Sequence, residues 1–468
     1  LLFLPIVFVL YWFVFDKKLK YQNLLILASS YIFYGWWDYR FLSLILLSTI
    51  VDYFIGLRIS NQASLKNKRI LLWCSVLFNL GVLGFFKYYN FFIDSWIDLF
   101  SSVGYDIKSV WTLNIILPVG ISFYTFQTMS YTIDIYKGKL KPTKDFISFA
   151  SFVSFFPQLV AGPIERASNL LPQILKKRVF KYEQGVQGLR LILWGMFKKV
   201  VIADSLAPVV NDIFGNYQEF GGGTLWLGAI YFAFQIYCDF SGYSDIAIGT
   251  SKLFGFELMS NFKFPYFSRN IGEFWRRWHI SLSTWFRDYL YIPLGGSQKG
   301  KWKSIRNVFI IFVVSGFWHG ANWTFIFWGL FHAMLFLPSF IFNTNRKYTT
   351  SIIAENTLFP SPKELIKVLT TFLLVTIGWV FFKSETLEDS FIFICKMIFE
   401  FDISLNKASG LLYIIPLISL DYMIRTNERN LIFTKNKLEN NFFFILFIIS
   451  IVLLFFKETR ADFIYFQF

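Results

Sequence analysis

The amino-acid sequence predicts an all-α, polytopic membrane protein, and three observations carry that reading. Apolar residues make up 55% of the 468 and charged residues only 16%, against about 25% charged in a typical soluble domain. Apolar runs of spanning length, roughly 17–25 residues, recur along the chain. Clusters of lysine and arginine punctuate those runs, as loops do under the positive-inside rule.

The composition excludes several classes. No polar stretch is long enough to be a soluble domain, so a single membrane domain over residues 1–468 is expected. The net charge of +15 would suggest nucleic acid in a soluble protein. Here the charges fall between apolar runs and set topology, and no nucleic acid is expected. Cys74, Cys238 and Cys395 are odd in number and far apart, which offers neither a disulfide framework nor a thiolate metal site. The opening segment LLFLPIVFVLYWFVF has no basic stretch before it and no small-residue cleavage site after it. It reads as a membrane helix, not a removed signal. The chain starts without Met, so a short N-terminal piece is expected to precede it.

Charge then orders the loops. Lys17, Lys18 and Lys20 follow the first run, and Arg58, Lys66, Lys68 and Arg69 follow the third. Lys137, Lys139, Lys141 and Lys144 come next, then Lys176, Lys177, Arg178 and Lys181. The stretch from Tyr88 to Lys108 carries Asp94, Asp98 and Asp106, and the region of Asp212 and Glu219 is also acidic. Basic loops are assigned to the cytoplasm and the N-terminus to the outside.

That parity demands re-entrant pieces. FISFASFVSFFPQLVAGPIERASNLL lies between two basic loops and is broken by Pro157, Gly162 and Pro163. Asn270 to Gly296 is aromatic and carries Arg276, Arg277 and Arg287, which a clean span would not tolerate. Irregular backbone at membrane depth survives only against protein or a water-filled cavity. Long apolar segments run from Gly222 to Ile248 and from Val308 to Phe342. Further spans are expected at Leu365–Phe382, Phe391–Phe401, Leu411–Ile424 and Phe442–Phe456, for roughly eleven spanning helices in all.

Histidine is the sharpest chemical signal, because the chain has only three. His279 stands in EFWRRWHISLS and His319 in VVSGFWHGANW, each directly after a tryptophan. His319 lies about a dozen residues into its apolar segment, roughly 18 Å along a helix. An ionisable residue at that depth is by default a functional candidate. Gly316 and Gly320 leave room for another backbone or a substrate. His332, in GLFHAML, has no polar neighbours and reads as structural.

FQIYCDFSGYSDIAIG contributes Asp239, Ser241, Ser244 and Asp245. The carboxylates are six apart, which on a helix puts them on different faces. The segment reads as a polar break where helix ends meet a cavity, with structural support and substrate contact both open. The basic set Arg276, Arg277, Arg287, Lys299, Lys301 and Lys303 either grips a polyanionic head or fixes topology against lipid headgroups. No G-x-S-x-G elbow, phosphate loop or H-E-x-x-H is present, so no covalent nucleophile or metal is expected. General acid–base chemistry on an activated acyl donor such as a thioester is what two histidines can supply.

These motifs carry a resemblance. ILPVGISFYTFQTMSYTIDIYKG, FFPQLVAGPIER, QIYCDFSGYSDIAIG, NFKFPYFSRNIGEFWRRWHISLSTWFRDYLYIPLGGS, SGFWHGANWTFIFWGLFH and the terminal FIYFQF resemble the membrane-bound O-acyltransferases (MBOAT), within them the AlgI-like branch of polysaccharide O-acetylation proteins. The resemblance implies helices around a central tunnel open to both membrane faces, in a multi-pass protein of the bacterial inner membrane. It implies His319 as the catalytic general base and His279 as the second histidine, set to orient the acyl carbonyl or bind the oxyanion. Trp278, Trp318, Asn322, Asp239, Ser241, Arg276 and Arg277 are the expected substrate contacts. The implied donor is acetyl-CoA, with no permanently bound cofactor. The implied partners, besides membrane lipids, are a periplasmic serine esterase-like acetyltransferase and, through it, alginate or a related exopolysaccharide. D-alanyl transfer to teichoic acid and a transporter without chemistry are the alternatives. The two histidines are expected to share one cavity within about 10 Å, since reacting atoms must meet at roughly 3–3.5 Å.

Overall fold

The computed structural model describes residues 2–105, 112–113, 115–400, 402, 407–455 and 463–464. Asp106 and the last four residues of the terminal aromatic motif lie outside the described residues. Among the described residues every regular element is a helix. Five stretches of the described residues are long and apolar enough to cross a membrane: Leu19–Asn61, Leu65–Ser102, Trp323–Ile341, Pro362–Lys383 and Lys437–Leu454. Two expected spans fall short. Leu387–Phe399 and Leu411–Met423 have 13 residues each, about 20 Å of helix against a hydrocarbon core of about 30 Å.

The described chain divides into two compact units. The first comprises residues 1–185 with 251–258. Its helices Leu42–Asn61, Leu65–Leu83 and Ile121–Tyr136 are tied by buried polar groups. Asp52 accepts from Ser75 at 2.5 Å and from Asn79 at 2.8 Å, and Ser48 and Thr128 both donate to Asn79 Oδ1. Such bonds hold helices where lipid offers no hydrophobic drive. The piece expected to be re-entrant folds here as Phe146–Val153 and Ala167–Ile174, eight residues each. At about 12 Å neither can span. Asp145 caps the first by accepting from the Ile147 and Ser148 amides.

The second unit comprises residues 186–250 with 259–468 and holds all three histidines. Gly222–Leu253 is one uninterrupted helix of 32 residues. This corrects the expected polar break at Asp239–Asp245, because the carboxylates are met by lysines and the helix has no cause to unwind. The Asn270–Gly296 piece forms short helices Ile271–Arg277 and Ile280–Phe286, then a π-helical turn Arg287–Tyr291. The long segment from Val308 resolves into Lys301–His319 and Trp323–Ile341, folded back at Gly320–Asn322. The two pack backbone to backbone. A Cβ on Gly316 would strike the Phe325 carbonyl, and one on Gly329 would strike that of Phe312 and lie 3.2 Å from Val313 Cα. Only glycine permits this approach.

Candidate active site

His279 is placed by its backbone. Ile271–Arg277 ends when the Trp278 amide bonds the Phe274 carbonyl at 2.8 Å. His279 then turns into the left-handed region, φ 44 and ψ 54, to cap Ile280–Phe286. A residue with a Cβ pays roughly 1–2 kcal/mol there, and such strain concentrates at functional sites. Asn261 holds the turn. Its carbonyl accepts the Ile280 amide at 2.9 Å, and its Oδ1 accepts the Ser281 amide at 3.3 Å and hydroxyl at 2.9 Å. The Asn261 amide nitrogen donates to Ser244 at 3.1 Å. His279 Nδ1 lies 3.0 Å from that same Oδ1. An amide oxygen only accepts, so Nδ1 carries the hydrogen and Nε2 is the basic nitrogen.

His319 is the last residue of Lys301–His319, and Gly320 leaves the helix fully extended. It therefore ends its helix, where the sequence placed it mid-segment. The rings of His279 and His319 are 6.3 Å apart at their centres. Both are buried, at 1% and 4% exposure. Trp318 lies 6.0 Å from the first ring and 5.1 Å from the second. Trp328 and Phe382 close on His319 at 5.2 and 5.5 Å, and Phe240 meets His279 edge-on at 4.6 Å.

The other expected contacts divide. Trp278 packs against Trp379 at 4.8 Å and Phe262 at 5.0 Å. Asn322 caps Trp323–Ile341 by accepting from the Thr324 amide, and donates to the Glu385 carbonyl at 3.0 Å. Asp239 pairs with Lys199 at 2.7 Å, and Lys199 also reaches Asp204 at 2.9 Å. Ser241 accepts from Lys198 at 2.9 Å, and Lys198 pairs with Asp245 at 2.5 Å. Adjacent lysines diverge as widely as carboxylates six apart do, so each carboxylate finds its own lysine. Phe240, between Asp239 and Ser241, faces His279. The lysines went unread in the sequence, yet the pair inside LILWGMFKKVVIA was a signal, because a charge within an apolar run needs a counter-charge.

Arg276 donates to the carbonyls of Asn345 and Tyr348. Arg277 pairs with Glu273 at 2.9 Å and donates to the Lys263 and Ser351 carbonyls. Both guanidiniums thus fasten the chain after Trp323–Ile341. Lys299, Lys301 and Lys303 are exposed. His332 is fully buried, with Trp328 at 4.9 Å and Trp275 at 5.0 Å.

Neither catalytic candidate lines either of two cavities found among the described residues of this unit. One, of about 230 Å³, has apolar walls including Phe286, Val308, Ile311 and Phe312, with Arg287 and Arg346 beside them. It reaches Ser315, one helical turn before His319. The other, of about 380 Å³, is polar and includes Asn211, Lys383 and Asp389. Among the described residues no group of three His, Cys, Asp or Glu is gathered as metal ligands.

Helices of spanning length and a buried pair of histidines, His279 oriented by the Asn261 side-chain amide, define a multi-pass membrane protein with groups suited to proton transfer. Residues 140–351 match the membrane-bound O-acyltransferase family. Over 389 residues the chain is 43% identical to the probable alginate O-acetylase AlgI of Pseudomonas syringae, covering 83% of this chain and 71% of that protein. It is 36% identical over 416 residues to the peptidoglycan O-acetyltransferase of Helicobacter pylori, covering 83% and 76%. Against the teichoic acid D-alanyltransferase of Bacillus subtilis it is 30% identical over 256 residues, covering 50% and 62%. The chain belongs to the membrane-bound O-acyltransferase family and is an O-acyltransferase. A transporter without chemistry is thereby set aside.

Proposed function

We propose that this enzyme takes an acetyl group from cytoplasmic acetyl-CoA and passes it across the bacterial inner membrane, for O-acetylation of an extracytoplasmic polysaccharide such as alginate or a related exopolymer. The observation that carries the reading is the 6.3 Å separation of the His279 and His319 rings. His319 removes the proton of the acceptor hydroxyl, the oxygen attacks the thioester carbonyl, the C–S bond breaks, and the proton passes to the departing thiolate. With Nδ1 donating to Asn261, neutral His279 presents Nε2 as an acceptor. It therefore holds a hydroxyl in the ground state and donates to an oxyanion only as the imidazolium.

The apolar cavity beside Arg287 and Arg346 is the donor's route in this reading. Its charges suit phosphate, its walls suit an extended thioester arm, and Ser315 brings it within a turn of His319. A periplasmic serine esterase-like acetyltransferase receives the group and delivers it to the sugar. The D-alanyl alternative is weaker, since those relatives match only about half of the chain.

The test is transfer by purified protein in proteoliposomes, with radiolabelled acetyl-CoA outside and acceptor inside. Wild type should move label into the acceptor and His319→Ala should not. Label moving equally with both would end the reading.

A further inference from the structure

The aromatic wall around His319 has one member whose position proton transfer does not require. Phe382 stands one residue before the end of the helix Pro362–Lys383 and is 1% exposed. Its ring lies 5.5 Å from that of His319, the two planes 72° apart. It is held on its other sides. Phe325 meets it edge-on at 4.8 Å, and Trp328 and Trp379 each lie 5.4 Å away. Phe325 is itself fixed against Gly320, where a Cβ would strike its ring. An intruding group therefore moves Phe382 only by displacing its neighbours, which a close-packed interior resists even for one methylene.

In the acetyl-transfer reading the donor reaches this wall by way of the apolar cavity, which is bounded by Trp275 and Ser315. Trp275 packs on Trp328 at 5.6 Å, and Trp328 packs on His319 at 5.2 Å. Ser315 is four residues before His319 on the same helix, roughly 6 Å along its axis. A thioester arm entering there carries its acyl end to His319 with the arm behind it and Phe382 ahead. His319 keeps only 4% of its surface open. Carbons beyond the acetyl methyl would have to enter space that the Phe382 ring occupies. Such a block is needed for any preference for acetyl. Apolar walls alone favour longer acyl groups, since each buried methylene strengthens binding roughly fourfold. Selection of the shortest group has to come from exclusion of the others.

We propose that Phe382 is the stop that limits the donor's acyl group to two carbons. This rests on the acetyl-transfer reading above and names the residue that sets the acyl length in it.

The experiment is calorimetric binding of coenzyme A, acetyl-CoA and butyryl-CoA to the purified full chain in micelles. Wild type should bind butyryl-CoA weaker than acetyl-CoA by about tenfold or more. Phe382→Ala, which removes the ring, should bind butyryl-CoA at least as tightly as acetyl-CoA. Coenzyme A itself should bind both proteins alike. Phe381→Ala is the control. That ring faces Phe327 and Phe331 at 4.7 and 5.6 Å, so its loss should leave the butyryl-to-acetyl ratio as in wild type. Should Phe382→Ala fail to fold, Phe382→Leu carries the test with propionyl-CoA, whose disadvantage it should remove. Equal binding of the two thioesters by wild type, a ratio unmoved by substitution of Phe382, or a ratio moved as far by Phe381→Ala would overturn the proposal and leave the acetyl-transfer reading standing. Wild type that binds neither coenzyme A nor either thioester would remove that reading and the stop with it.

Discussion

Asn261 Oδ1 lies 3.0 Å from His279 Nδ1 and at once accepts from the amide and hydroxyl of Ser281. One side-chain oxygen therefore fixes the left-handed turn and the tautomer of the histidine it displays. Substituting Asn261 tests whether that tautomer matters. Asn261→Leu should lower acetyl transfer by about 10–100-fold, the usual cost of losing a group that orients an active histidine. Asn261→Asp keeps the acceptor and should retain more activity than Asn261→Leu. Single-turnover rates compare the two, and equal loss would reduce Asn261 to a backbone support.

His319→Ala should abolish polymer acetylation, with a loss of about 10²–10⁴-fold for a missing general base. The protein should still accumulate in the membrane. Ester content of the polymer, set against protein level by immunoblot, gives the answer. Near-normal acetylation would remove His319 from the mechanism.

The donor side yields a comparison of charges. Arg276 and Arg277 are engaged with backbone carbonyls and Glu273, whereas Arg287 and Arg346 line the apolar cavity. Arg287→Gln with Arg346→Gln should weaken coenzyme A binding more than removal of Lys299, Lys301 and Lys303 does. The lysine effect should fade at high salt, because exposed charges are screened within about 8 Å at physiological ionic strength. Titrations at two salt concentrations decide, and equal affinities across all three proteins would place the donor elsewhere.

Lys199→Met should strand Asp239, which is 2% exposed, and Asp204 beside it. Breaking one side of a buried pair costs about 3–5 kcal/mol. Asp239→Asn in the same chain should recover part of that loss, since a neutral amide needs no counter-charge. Thermal unfolding in detergent reads both, and a double variant no more stable than the single would show that the pairing is not what Lys199 contributes.

Gly316→Val should force apart the helices Lys301–His319 and Trp323–Ile341. Overpacking of this kind costs roughly 1–3 kcal/mol. Because His319 ends the first helix, transfer should fall together with stability. An unchanged melting temperature would mean that the close approach is dispensable.

The sequence by itself determined the helical membrane class, because apolar run length and composition are one-dimensional properties. It also pointed to His279 and His319, since a rare ionisable residue beside tryptophan in an apolar run stands out without any knowledge of its neighbours. Short helices at Phe146–Val153 and Ile271–Arg277 were legible from the prolines, glycines and arginines that rule out a clean span. Only the tertiary structure decided what each polar residue meets. Asp239 and Ser241 looked like a break in a helix until Lys199 and Lys198 arrived from a segment far away in the chain. Arg276 and Arg277 looked available for a substrate until the fold set the carbonyls of Asn345, Tyr348 and Ser351 to accept from them. Asn261 carried no signal, because its role exists only where a distant turn places His279 against it. Hydrogen bonds and ion pairs are made in space between residues remote in sequence. Hydropathy accumulates along the chain, and for that reason the first kind of information had to wait for the fold.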